Sequence, residues 1–130
     1  TYSHTDFFTG CSATLSQTTT VHPVPTIVFT SLETEYCVDD APDNFEVSPL
    51  GGTMTISPNV SGALTFNGTE YTFDPSVYPN GEMVTFIYDY TDGLGCMASQ
   101  SATIEVHPSP TIVFTNLDPD YCANAGLATF

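Results

Sequence analysis

The chain has no lysine and no arginine. Its 15 aspartates and glutamates therefore have no permanent side-chain cation to answer them, and the formal charge is −15. Nucleic-acid binding depends on lysine and arginine neutralising phosphates, so this composition argues against it. It argues equally against adhesion to an anionic membrane surface. No salt bridge from Lys or Arg can form, so the carboxylates must be solvated, hydrogen-bonded or bound to cations. Trypsin has nothing to cut, folded or unfolded. Tryptophan is absent too. Apolar residues come in short groups, far below the 18 or so that a membrane-crossing helix needs, so no membrane insertion of this segment is expected. An initiator Met, a charged-then-apolar leader and a sorting tail are all missing. A piece of a longer protein is the expectation.

What is present suits a folded chain. Hydrophobic residues make up 41%, enough for a modest core and too many for a disordered tail. Four cysteines stand at positions 11, 37, 96 and 122, with no CxxC pair. That spacing argues against a zinc ribbon or a thioredoxin-like redox site. With abundant Thr and Ser it points to an oxidising compartment, and so to an extracellular, cell-surface location.

A repeat organises the sequence. The segment VHPVPTIVFTSLETEYC ends at Cys37 and VHPSPTIVFTNLDPDYC ends at Cys122, an offset of 122 − 37 = 85. The same offset carries Gly10-Cys11 onto Gly95-Cys96, Ser16 onto Ser101 and Phe45 onto Phe130. Read without gaps, it divides the chain into the last strands of one repeat (1–23), a complete repeat (24–108) and the beginning of another (109–130). The joints carry His22, Pro23 and Pro25, then His107, Pro108 and Pro110. Prolines one residue apart fix φ and hold their neighbours extended. The joints are therefore expected to be stiff and nearly straight.

No helical periodicity appears. Short alternating runs between turn signals predict an all-β unit, with strands at 26–30, 44–48, 52–57, 63–67, 70–73, 82–91 and 97–106. Asn67-Gly68 reads as a two-residue hairpin turn, and Pro79-Asn80-Gly81 and Asp92-Gly93 mark further turns. Val84, Phe86, Tyr88 and Tyr90 share one face, as do Ala102, Ile104 and Val106. Seven strands in about 85 residues fit an immunoglobulin-like β-sandwich. So small a core calls for a staple. Cys37 and Cys96 fall in one repeat and are paired in this reading, closing a loop worth about 4 kcal/mol in the chain-entropy picture. Cys11 and Cys122 then belong with cysteines outside the chain. A bridge between neighbouring repeats, such as Cys11–Cys37, is the alternative.

These pieces, namely Thr26 to Thr30, Tyr36-Cys37, Gly51-Gly52-Thr53 and Tyr88 through Cys96, resemble the immunoglobulin-like or PKD-like tandem repeats of very large Bacteroidota surface proteins. Gliding-motility adhesins exported by type IX secretion are among them. The resemblance implies a long, disulfide-stapled extracellular stalk. The partners it implies are neighbouring repeats, and an extracellular glycan or surface. The Trp-containing signature of typical PKD domains is missing.

No catalytic constellation stands out, and no enzyme is expected. Of three histidines, His22 and His107 recur at the joint, which suits shaping that joint better than catalysis. The Cys37–Cys96 pairing would bring Glu33, Glu35, Asp39 and Asp40 toward Asp92. Calcium is the hard cation such a loop would take; otherwise no cofactor is expected. The gapless offset turns Asp39, Asp40 and Asp92 into Asn124, Ala125 and Phe7, so a full set does not recur; it also sets His4 against Asp89, so that histidine position is not held. Phe7, Phe8, Tyr71 and Tyr78 suit either sugar stacking or core packing, the latter favoured. The reading is a non-catalytic stalk segment of a surface adhesin, and the alternative is a glycan- or calcium-binding module appended to a secreted enzyme.

Overall fold

Alternate residues turn inward along most of the chain, the period-2 pattern of half-buried strands. A computed structural model describes residues 1–115. Cys122, most of segment 109–130 and the counterparts of Phe45 and the acidic loop there lie outside the described residues. The described part is all-β apart from one 3₁₀ turn at Pro75–Val77. A first hairpin pairs β1 (Tyr2–Thr5) with β2 (Ser12–Leu15). The remaining strands form two four-stranded sheets in a sandwich-like arrangement. One sheet has the order β3 (Val28–Thr30), β5 (Asp43–Ser48), β8 (Tyr71–Phe73), β7 (Leu64–Phe66). The other has the order β4 (Glu35–Cys37), β10 (Met97–His107), β9 (Glu82–Thr91), β6 (Thr53–Ser57).

Each of the seven expected strands is present within two residues of its expected ends. The β9–β10 hairpin is the longest, registered from Thr91↔Met97 to Glu82↔Val106. Val84, Phe86, Tyr88, Ile104 and Val106 are buried, while Tyr90 and Ala102 are half-buried. Phe86 meets two rings of the opposite sheet edge to face, Phe45 and Phe73, each at 5.3 Å between centroids. Such pairs contribute about 0.5–1.5 kcal/mol each beyond simple burial. Tyr71 and Tyr78 are core residues, at 7% and 2% exposure, so the core-packing reading holds for both; it fails for Phe7 and Phe8, which stand exposed in the β1–β2 turn. Three tyrosine hydroxyls tie loops to the core. Tyr88 donates to Pro49 O (2.9 Å) and accepts from Gly52 N–H (2.7 Å). Tyr78 donates to Pro58 O (2.7 Å). Tyr36 donates to Asp43 Oδ2 (2.9 Å) and accepts from Glu33 N–H (3.2 Å).

Three expectations need correction. First, β4 was not foreseen. It has three residues of which only Tyr36 is buried, too short to show a period, and it exists because it adds in parallel to β10. Second, the 67–70 turn centres on Gly68-Thr69. Asn67 N–H donates to Glu70 O, and the Asn67 side-chain oxygen accepts from the Thr69 and Glu70 N–H groups. Gly68 alone supplies positive φ there, +107°.

Third, the repeat is not gapless. β1–β2 reproduces the turn end of β9–β10 with one extra residue in the turn. Thr5-Asp6 matches Thr91-Asp92 (91 − 5 = 86), whereas Gly10-Cys11 matches Gly95-Cys96 (96 − 11 = 85). Asp6 N–H donates to Cys11 O as Asp92 N–H does to Cys96 O, and Gly10 N–H to Asp6 O as Gly95 N–H does to Asp92 O. Asp6 Oδ1 accepts from the Phe8 and Thr9 N–H groups; Asp92 Oδ1 accepts from those of Leu94 and Cys96. The N–H and hydroxyl of Thr9, then Phe8 N–H, hold the Asp6 carboxyl below its ordinary pKa. Asp92 therefore matches Asp6 and not Phe7, and His4 matches Tyr90 and not Asp89. A turn can absorb an inserted residue; a paired strand cannot without swapping its faces.

Candidate functional site at the proline joints

The outgoing joint is built on the end of β10. Glu105, Val106 and His107 pair in parallel with Glu35, Tyr36 and Cys37. Glu105 N–H donates to Thr34 O and Val38 N–H to His107 O, both at 2.9 Å. The last residue before the proline is thus held by the sheet. Gly81 sits against the joint, with its N–H on Tyr78 O (3.0 Å) and φ +74°. A Cβ there would come within 2.6 Å of Pro108 Cδ and 2.8 Å of Val106 O. Glycine is required on both counts. One residue on, the Ser109 hydroxyl donates to Asp39 Oδ2. His107 Nδ1 lies 3.8 Å from Glu105 Oε1, both side chains about half exposed. The backbone of His107 shapes the joint, and its ring stays half exposed.

The incoming joint is different. His22, Pro23 and Val24 are exposed and Pro25 is half-buried. Val24, Pro25, Thr26 and Ile27 line a shallow groove with Met97, Ala98, Ser99 and Gln100 at the start of β10. Val24 stands where the outgoing joint has Ser109 (109 − 24 = 85), so the hydroxyl that reaches Asp39 has no counterpart there. Pro108 and Pro110 are both exposed and lie outside any strand.

The cysteine pairing is overturned. Cys37 and Cys96 are both free thiols, as is Cys11. The register explains why: Cys37 faces His107 at one end of β10, and Cys96 precedes Met97 at the other. Eleven residues of strand put them about 36 Å apart, and a disulfide needs Cα atoms within about 7 Å. The alternative pair, Cys11 with Cys37, is not made either.

The calcium candidates part for the same reason. Glu33 and Asp40 share a shallow cleft with Tyr36 and Asp43. Asp40 Oδ2 already accepts from Cys37 N–H (2.6 Å), and Asp39 holds Ser109. Glu35 is exposed on β4. Asp92 caps the far turn, a sandwich length away. Among the described residues no cluster of three or more His, Cys, Asp or Glu side chains is placed to hold a metal. Inside the cleft, burial first and then the Asp43 carboxylate push the Tyr36 hydroxyl up to about 12.

The sequence reading missed Gly81, Ser109 and Asp39 as joint residues. Gly81 was legible only as a turn glycine, and the Ser109–Asp39 bond spans 70 residues, beyond any local pattern. Comparison with known protein families, curated proteins and solved structures finds no match to this chain.

Proposed function

We propose that this chain is a non-catalytic segment of an extracellular stalk, in which immunoglobulin-like sandwiches follow one another across stiff proline joints. The single observation that carries the proposal is the outgoing joint. It is seated on its sandwich by Val38 N–H on His107 O, by Gly81 under Pro108 and by Asp39 on Ser109. A joint so held transmits direction from one sandwich to the next.

Strand order supports the immunoglobulin reading. β3-β5-β8-β7 and β6-β9-β10 run in the order of the ABED and CFG sheets, with β4 added parallel to the last strand. The Phe45–Phe86 ring pair joins β5 to β9, the place where antibody domains put their inter-sheet disulfide. The sequence repeat supports tandem copies, and a chain with fifteen acids and no Lys or Arg suits mutual repulsion and an extended form. Resemblance to gliding-type adhesins makes the cell surface the natural setting, with type IX secretion as the route.

The test is length. Chains carrying two, four and six copies of residues 25–109, which keep Ser109 after every Pro108, should lengthen linearly in small-angle scattering, by about 36 Å of strand per copy. A maximum dimension that grows as the square root or cube root of copy number rejects the stalk.

A further inference from the structure

The two thiols of the sandwich stand at opposite ends of one strand, and the joints leave from those same ends. Cys37 lies across from His107, where the chain departs into Pro108. Cys96 precedes Met97, and Met97–Gln100 line a groove with Val24–Ile27, where the chain arrives. By the 85-residue offset, Val24–Ile27 correspond to Ser109–Ile112. A following repeat folded in the same way therefore sets its counterpart of Cys96 beside Ser109–Ile112. A single joint is then flanked by Cys37 at its beginning and by that second thiol at its end. Two to five residues separate the two places, about 7–17 Å even when fully extended. Both hairpin turns also expose apolar side chains beside the thiol: Leu94 and Met97 at 66% and 74% near Cys96, Phe7 and Phe8 at 93% and 94% near Cys11. These flank the thiol on the end that meets the preceding unit.

We infer that Cys37 forms a disulfide with the next repeat's counterpart of Cys96, bridging consecutive sandwiches across each joint. This rests on the stalk reading, and it makes the joints covalent. Two thiols become one S–S bond, passing two electrons and two protons to a disulfide donor, which is reduced to two thiols. The rule explains why Cys11, Cys37 and Cys96 are all free: none of them has its partner within the chain. Cys122 follows the same rule by sequence.

The test extends the full chain by a second copy of residues 46–130, which completes a following repeat because Phe130 matches Phe45. The extended and original chains are oxidised under native conditions with oxidised glutathione, digested with pepsin without reduction and analysed by mass spectrometry. The extended chain should yield the Cys37 peptide joined to a Gly-Cys-Met peptide, and the original monomer should yield no such pair. Cys96→Ser in the original copy should leave the bridge intact, and the same substitution in the added copy should abolish it. A Cys37–Cys96 bridge in the original chain, or no Cys–Cys peptide in the extended one, overturns the inference. Scattering on the extended chain under reducing conditions reads the stalk separately, because an elongated shape there does not depend on the bridge.

Discussion

Tyr2 and Tyr88 hold the same place in two copies of one hairpin, and they share almost nothing else. Tyr2 is 71% exposed and Tyr88 is 1% exposed. The turns of the two hairpins are closed by the same backbone bonds and the same aspartate. Beyond the turn the copies diverge. β9–β10 runs on for ten paired positions, gains β6 and β4 on its flanks and packs on the opposite sheet. β1–β2 is paired over four positions, from Thr5↔Ser12 to Tyr2↔Leu15 beside the first residue of the chain, and has every residue exposed. Local sequence is thus sufficient for the turn and its register. Burial needs neighbours, which supply the apolar surface that turns an alternating strand into a core strand.

The comparison can be broken most forcefully at Phe86. Replacing this fully buried ring with alanine removes both edge-to-face contacts and should cost about 3–5 kcal/mol, measured by urea unfolding. Leu15→Ala, on the exposed hairpin, should change stability by less than about 0.5 kcal/mol. Similar losses at both sites would mean that the first hairpin is also packed in solution.

The tyrosine pair gives a finer contrast. Tyr88→Phe strips the hydroxyl from Pro49 O and Gly52 N–H and should cost about 1–3 kcal/mol. Tyr2→Phe should be silent in the same denaturation assay.

Alkaline titration isolates the Tyr36 cleft. Unfolded tyrosine ionises near 10, whereas folded Tyr36 is pushed up to about 12 by burial and by Asp43. The folded value is the higher one, so the stabilisation is complete below pH 10 and disappears as pH rises from 10 to 12. Burial raises Tyr71 and Tyr78 in the same direction. Melting temperature should fall across that window, less steeply in Tyr36→Phe. No lysine titrates there to obscure the result.

The smallest effect concerns the joints. Ser109→Ala removes the hydroxyl that holds Asp39 and should lower stability by under about 1 kcal/mol. It should also broaden the angle between sandwiches in a multi-repeat chain, seen by electron microscopy. Val24→Ala, at the incoming counterpart, should leave that angle unchanged.

Much of this was legible beforehand. The alternation through Val84, Phe86 and Tyr88 specified a strand and its inward face, because one face of a half-buried strand must be apolar. Gly68 and Gly81 marked turns through their freedom at positive φ. β4 escaped notice, since Glu35-Tyr36-Cys37 carries too few residues for a pattern and draws its stability from a parallel partner 70 residues away. The extra turn residue near Phe7 also escaped, since identity at Gly10-Cys11 hid the shift before it. The cysteine pairing failed for a third reason. Membership of one repeat says nothing about which end of the sandwich a residue occupies.

Composition and periodicity by themselves determined the strands long enough to alternate, the places where the chain turns, the recurrence of the joint and the absence of Lys and Arg ion pairs, because these depend on composition and on neighbours in sequence. Only the tertiary structure decided that Cys37 and Cys96 point to opposite joints, that the acidic residues divide between two ends, and that Gly81 and Asp39 seat the outgoing prolines. Those are distances between segments 27 to 70 residues apart, and sheet order sets them.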